Sequence, residues 1–165
     1  MTEFYVCHFE DEPEKVSLYN LIEARLFSSG KFESCEIEPR GNGDTGYDID
    51  VMISNNSHQI HYIIFPHISA MLDVVSEEKW ANVIATIFDL DLGHGRPDGV
   101  AVARQLAAQS WPLQSSLSWI LTGYPVETMR RLDDDGLTIA VIGKPANLRP
   151  IRDQIVDALF ARLEV

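Results

Sequence analysis

The chain has 165 residues, of which 45% are hydrophobic and 23% are charged, and its formal net charge at pH 7 is −12. This size and balance fit one soluble globular domain with a substantial core. The acidic charge excludes sequence-independent binding of nucleic acid, which requires clustered lysine and arginine. The amino-terminal segment lacks a signal-peptide pattern, and prolines and polar residues interrupt the uncharged stretch 105–126, so no membrane span is expected. The two cysteines form no disulfide framework or metal-ligand spacing, which favours a cytoplasmic protein.

The first part of the chain predicts a strand, an acidic loop and a helix, followed by a β-meander. Residues 4–9 are apolar and lead into acidic residues, and Pro13 suits the first turn of a helix that ends near Gly30. Segment 32–65 contains three strand-like runs, and nothing indicates which outer run pairs with the first strand. The motif 41–46 matches G-x-G-x-x-G, but an alternating stretch follows it instead of a helix, so it predicts a hairpin turn.

The rest of the chain alternates between helical and strand patterns. Such alternation implies right-handed crossovers, a parallel sheet and helices on both of its faces. The sequence therefore predicts a single doubly wound α/β domain over residues 1–165. The predicted helices are 67–78, 99–109, 127–134 and 151–163, and the predicted strands are 82–89, 116–121 and 138–142.

The strand that ends at Asp89 is the centre of this pattern, because its continuous apolar run is typical of a strand buried on both faces. Open α/β sheets place their chemistry at the carboxyl ends of their strands. The same edge should carry Glu10 and Asp11, and also Thr122 and Lys144.

These residue types indicate phosphoryl chemistry. Clustered carboxylates require a compensating cation, and oxygen ligands suit Mg²⁺. Asp89 could attack phosphorus to give an aspartyl phosphate, and Lys144 and Thr122 would supply a positive charge and a hydroxyl donor for the phosphoryl group.

Four ordered motifs resemble those of bacterial response-regulator receiver domains, the CheY-like superfamily. They are Val6–Glu14, Asp89–Gly99, Leu121-Thr122-Gly123 and Lys144-Pro145. The resemblance covers the chain except for an insertion at about 39–60. It implies a doubly wound five-stranded parallel sheet of the flavodoxin/CheY-like type, with an inserted β-meander near the second strand.

The resemblance also implies roles for individual residues. Asp89 is the phosphoacceptor, Thr122 is the switch hydroxyl, and Lys144 pairs with the phosphoryl group. Mg²⁺ is expected to bind Glu10, Asp11, Asp89 and the backbone carbonyl of Asp91.

The implied partners are proteins. A sensor histidine kinase or a histidine phosphotransfer protein would supply the phosphoryl group. A downstream protein or a second copy would bind the face of the fourth helix, fifth strand and fifth helix of the family fold. We expect no direct nucleic-acid or membrane partner and no enzymatic turnover. No output domain follows the last helix, so the sequence is expected to be a stand-alone receiver or the receiver part of a longer chain.

The sequence departs from the family pattern in four ways. Glu10 replaces the commoner aspartate, Val141 occupies a usually aromatic position, and Asp91 adds a carboxylate beside the site. The separation between Asp11 and Asp89 exceeds the family norm. A degenerate receiver that binds proteins without phosphorylation is therefore an alternative.

A phosphatase of the haloacid-dehalogenase type is a weaker alternative. Asp89-Leu-Asp91, Thr122 and Lys144 match its motifs. However, that family has a second acidic pair after the lysine, which this chain lacks, and it has no use for the pair Glu10/Asp11.

Overall fold

The computed structural model describes residues 1–39 and 47–164, whose strands form a seven-stranded sheet with helices on both faces. The strand order is β2-β3-β4-β1-β5-β6-β7. The strands are β1 (Thr2–Phe9), β2 (Ser34–Pro39), β3 (Ile49–Ser54), β4 (His58–Phe65), β5 (Val83–Asp89), β6 (Leu117–Thr122) and β7 (Ala140–Gly143). The helices are α1 (Leu18–Ser28), α2 (Ile68–Val74), α3 (Gly99–Ala108), α4 (Pro125–Asp134) and α5 (Arg149–Leu163).

The sheet has a parallel part and an antiparallel extension. Strands β4, β1, β5, β6 and β7 pair in parallel, whereas β3 pairs antiparallel with β4, and β2 antiparallel with β3. The predicted α/β class with a mostly parallel sheet is confirmed. The sheet as a whole has seven strands instead of the predicted five, because the antiparallel strands β2 and β3 extend its five parallel strands. The last strand of segment 32–65, β4, is the one that pairs with β1. The predicted turn at 41–46 lies outside the described residues.

Two apolar cores cover the two faces of the sheet. On one face, α1 and α5 pack through residues such as Ile22 and Ile155. On the other face, α2, α3 and α4 contribute Met71, Leu106 and Leu132. Strand β5 lies between these cores and is buried at every position. Each fully buried aliphatic side chain stabilises the fold by about 1.5–3 kcal/mol, so the cores hold β5 and its neighbours in register.

Two predicted helices are shorter than their apolar spacing suggests. Pro13 opens a separate 3-10 turn, and α1 begins at Leu18, because Val16 between them has extended backbone angles. Helix α2 begins after His67, whose Nδ1 accepts a hydrogen bond from the Ala70 amide at 3.1 Å, and ends before Val75. A second 3-10 segment, Glu77–Asn82, leads into β5. None of the helices in the described part of the chain is long and apolar enough to cross a membrane.

The antiparallel extension offers a matched pair of isoleucines for a stability test. Ile53 on β3 is fully buried, whereas Ile37 on β2 is 52% exposed. We expect Ile53→Ala to lower the free energy of unfolding by about 2–5 kcal/mol, because it leaves a cavity in the core. Ile37→Ala should change the same quantity by about 0.5 kcal/mol or less. Urea denaturation of both variants would check this, and equal losses would contradict the packing of β3.

Candidate functional site at the carboxyl edge of the sheet

Three carboxylates meet where β1 and β5 end. The parallel register sets Phe9 opposite Phe88, so Glu10 and Asp11, which follow β1, reach the same edge as Asp89 at the end of β5. One oxygen from each of these three residues lies within 4.8 Å of the others. Glu10 and Asp89 are 9% and 5% exposed, whereas Asp11 is exposed. The fold therefore brings together the three acidic side chains that the sequence predicts at this edge.

The surroundings of Glu10 raise its pKa. Burial raises the pKa of Glu10 to about 8, and both its hydrogen bond to Asp11 and the charge of Asp89 act in the same direction. The amide of Glu12, which donates to Glu10 Oε1 at 3.1 Å, opposes this shift. The raised pKa favours a proton on Glu10 over a third negative charge in the cluster. Three oxygen donors within reach of one point fit a hard divalent cation such as Mg²⁺, which would replace that proton.

Lys144 brings positive charge to the carboxylate cluster. Its Nζ forms an ion pair with Asp89 Oδ1. Its backbone amide donates to the Thr122 carbonyl at 2.7 Å, which ties the residue after β7 to the end of β6. The side chain of Lys144 is 42% exposed, whereas that of Asp89 is 7% exposed. The ammonium group therefore covers the carboxylate from the solvent side of the sheet edge.

Thr122 lies at the end of β6 and is buried. Its Oγ1 accepts hydrogen bonds from the Tyr124 amide at 2.9 Å and from Thr128 Oγ1, 3.1 Å away. The hydroxyl oxygen of Thr122 is therefore engaged by the start of α4. Tyr124 itself is 70% exposed.

The start of α3 approaches the backbone of Asp89 very closely. Asp98 caps this helix by accepting a hydrogen bond from the Ala101 amide at 3.0 Å, and it pairs with Arg131 of α4 at 2.7 Å. A Cβ atom on Gly99 would lie only 2.4 Å from the Asp89 carbonyl oxygen. The glycine of the predicted Pro-Asp-Gly turn is thus explained by a steric requirement.

Asp91 is exposed, and its Oδ1 accepts a hydrogen bond from the Gly93 amide at 3.1 Å. Sequence reasoning missed His8, which is 4% exposed and lines the same cavity of about 570 Å³ as Glu10, Asp89 and Lys144. The two-residue alternation of a strand could have indicated this, because it places His8 on the same face as Glu10.

Comparison with solved structures identifies the fold. The receiver domain of the Francisella response regulator 1452 is 11% identical, with a TM-score of 0.51, and the match covers 96% of this chain and 98% of that chain. The N-terminal signal receiver domain of a two-component response regulator from Bacteroides fragilis is 11% identical, with a TM-score of 0.53 and coverage of 96% and 97%. The signal receiver domain of a DNA-binding response regulator (merR) from Colwellia psychrerythraea 34H is 16% identical, with a TM-score of 0.53 and coverage of 95% and 98%.

No family model and no curated protein matches the sequence. At these low identities the structural likeness establishes the fold alone. The chain has the α/β fold of response-regulator receiver domains, with an acidic cluster at the carboxyl edge of its sheet.

The contact between Gly99 and Asp89 can be tested by adding a single methyl group. We expect Gly99→Ala to lower the free energy of unfolding by about 1–3 kcal/mol, because the backbone of α3 must move away from Asp89. Gly123→Ala is the matched control, since a Cβ there meets nothing within 4 Å. Thermal and urea unfolding measure both. A Gly99 variant as stable as its control would contradict the close approach.

Proposed function

We propose that this chain is a phosphoryl-accepting receiver domain of a two-component or phosphorelay response regulator, phosphorylated on Asp89 in the presence of Mg²⁺. The observation that carries this proposal is the convergence of Glu10, Asp11 and Asp89 within 4.8 Å, with Lys144 paired to Asp89, on a receiver fold. The ordered sequence motifs around the same residues support the proposal more weakly.

Each residue has a chemical part in this proposal. Glu10, Asp11, Asp89 and the backbone carbonyl of Asp91 would hold Mg²⁺, which neutralises charge on the phosphoryl oxygens when it is bound. A carboxylate oxygen of Asp89 attacks phosphorus, the phosphorus–nitrogen bond of a phosphohistidine breaks, and the donor imidazole leaves with the electron pair. Lys144 then balances the added negative charge.

Thr122 would connect this chemistry to the protein surface. A phosphoryl oxygen would accept a hydrogen bond from the Thr122 hydroxyl. Turning this side chain toward the phosphoryl group would break the hydrogen bonds that its oxygen now accepts from the Tyr124 amide and from Thr128, both at the start of α4. Rotation of one side chain would therefore alter the packing of α4. Thr122 and α4 would then have two alternative arrangements, and the charge of the phosphoryl group would favour one of them.

The proposed partners follow from this role. A sensor histidine kinase or a histidine phosphotransfer protein supplies the phosphoryl group in the cytoplasm. The downstream protein, or a second copy of the chain, binds the face made by α4, β7 and α5. Three large apolar side chains are exposed at the start of α4, as suits a protein-binding surface: Tyr124, Val126 and Met129.

The first test is intact-protein mass after incubation with Mg²⁺ and a small acyl phosphate. We expect one phosphoryl adduct on the wild type and none on Asp89→Asn, because the amide is not a nucleophile toward phosphorus. Asp91→Asn is the matched control and should keep the adduct, since it leaves the backbone carbonyl in place and changes a side chain whose contact in the described part of the chain is with the nearby Gly93 amide. Absence of an adduct with this donor and with a panel of histidine kinases would instead favour a phosphorylation-independent binding module.

The raised pKa of Glu10 predicts a pH-dependent Mg²⁺ affinity. Below the pKa of about 8 the metal must displace a proton, so we expect the affinity to rise up to tenfold per pH unit between pH 6 and 8 and to level off above. Without metal, the stability of the fold changes with pH in the opposite direction to the Mg²⁺ affinity. The folded state binds the proton of Glu10 more tightly than the unfolded state does, so the free energy of unfolding falls as the pH rises through the same range.

Calorimetric titration in buffers of different ionisation enthalpy counts the protons released on Mg²⁺ binding. Glu10→Gln should abolish this release, because the neutral amide carries no exchangeable proton in the range. A Mg²⁺ affinity that does not change with pH in the wild type would contradict the raised pKa of Glu10.

A further inference from the structure

His8 is a buried polar side chain that the proposed chemistry leaves without a role. It lies on β1, between β4 and β5, and is 4% exposed. Its Nδ1 is 2.6 Å from the hydroxyl of Tyr62 on β4, with the two rings edge to face. Its Nε2 is buried and has no hydrogen-bond partner among residues 1–39 and 47–164. Buried polar atoms normally have partners, so this nitrogen requires an explanation.

The contact with Tyr62 fixes which nitrogen of His8 carries the hydrogen. A neutral imidazole has one donor and one acceptor nitrogen, and His8 is 4% exposed, an environment that disfavours a charged ring. Tyr62 is 1% exposed, and burial raises its pKa, so it keeps its hydroxyl hydrogen. Within the described chain, Nδ1 is the one acceptor near that hydrogen. Tyr62 therefore donates to Nδ1, and Nε2 carries an N–H.

The position of this imidazole relative to the site follows from the sheet. His8 pairs with Ile87 of β5, two residues before Asp89, and it lies two residues before Glu10 along the chain. The imidazole forms part of the wall of the 570 Å³ cavity that also contacts Glu10, Asp89 and Lys144. A buried nitrogen without a hydrogen-bond partner thus belongs to a side chain in the wall of the cavity that the carboxylate cluster also lines.

We propose that His8 binds the oxygen ligands of this site: its Nε2–H donates a hydrogen bond to an oxygen that enters the cavity with Mg²⁺ or with the phosphoryl group. The inference rests on the proposed function and adds a binding residue to it. Tyr62 has a supporting part, because it holds the tautomer in which Nε2 is the donor.

The test is an NMR measurement on the full chain with ¹⁵N-labelled histidine. The resonances of His8 are assigned by their loss in His8→Gln, and its Nε2 signal is followed with Mg²⁺ alone and with Mg²⁺ plus beryllofluoride, a phosphoryl mimic. A shift with Mg²⁺ alone identifies a metal-bound water as the acceptor, and a shift only with beryllofluoride identifies a phosphoryl oxygen. Either result supports the inference.

The negative results are distinguishable. If the amides of Asp11 and Asp89 respond to the ligands while His8 Nε2 does not, the inference is wrong and the proposed function stands. If neither the amides nor the imidazole responds, the proposed function is overturned and the inference with it.

Affinity measurements on three variants separate hydrogen bonding from packing. We expect His8→Leu to weaken beryllofluoride binding by about tenfold, the effect of one lost hydrogen bond, and His8→Gln, which keeps an N–H donor, to restore most of it. Thr86→Val is the matched control: it removes a buried partner of Trp111 Nε1, 3.0 Å away, on the opposite face of the sheet, and should leave the affinity unchanged. Wild-type affinity in a folded His8→Leu variant would overturn the inference.

Discussion

The close approach of three carboxylates is the electrostatic constraint on which the rest of this structure depends. Glu10, Asp11 and Asp89 would repel one another if all were ionised within 4.8 Å. Two features of the protein reduce this repulsion: the ion pair between Lys144 and Asp89, and the raised pKa of Glu10, which favours its neutral form. The cluster is held because β1 and β5 are central, adjacent and packed between two apolar cores.

The loops around the cluster are fixed by contacts to helices. Asp98 joins the start of α3 to α4 through Arg131, and Gly99 allows α3 to lie against the backbone of Asp89. Thr122 is tied to α4 through Thr128. Helix α4 is therefore connected to the site at two points. Asp98, in the segment after β5, pairs with Arg131, and Thr122, at the end of β6, bonds to Thr128. A change of charge at Asp89 would therefore act close to the contacts that hold this helix in place.

Much of this arrangement could be predicted from the sequence, because the alternation of strands and helices determines which residues follow the carboxyl ends of parallel strands. The break in α2 could not, since Ile68, Met71, Leu72 and Val75 keep helical spacing although Val75 leaves the helical conformation. Strand order within segment 32–65 was also open, because turn residues specify where a chain reverses and not which strand joins β1. His8 was hidden in an apolar strand, and only the fold reveals its contact with Tyr62, fifty-four positions away in the chain.

The antiparallel extension also changes which backbone groups remain free for pairing. With β3 alongside it, β4 has neighbours on both sides, and the outer edge passes to β2, whose exposed side chains include Glu36 and Glu38 and which ends at Pro39. Charges and proline on an edge strand discourage the addition of another strand. The opposite edge is the four-residue strand β7, and a strand this short also offers few backbone groups for pairing. Both lateral edges of the sheet therefore discourage strand-to-strand assembly.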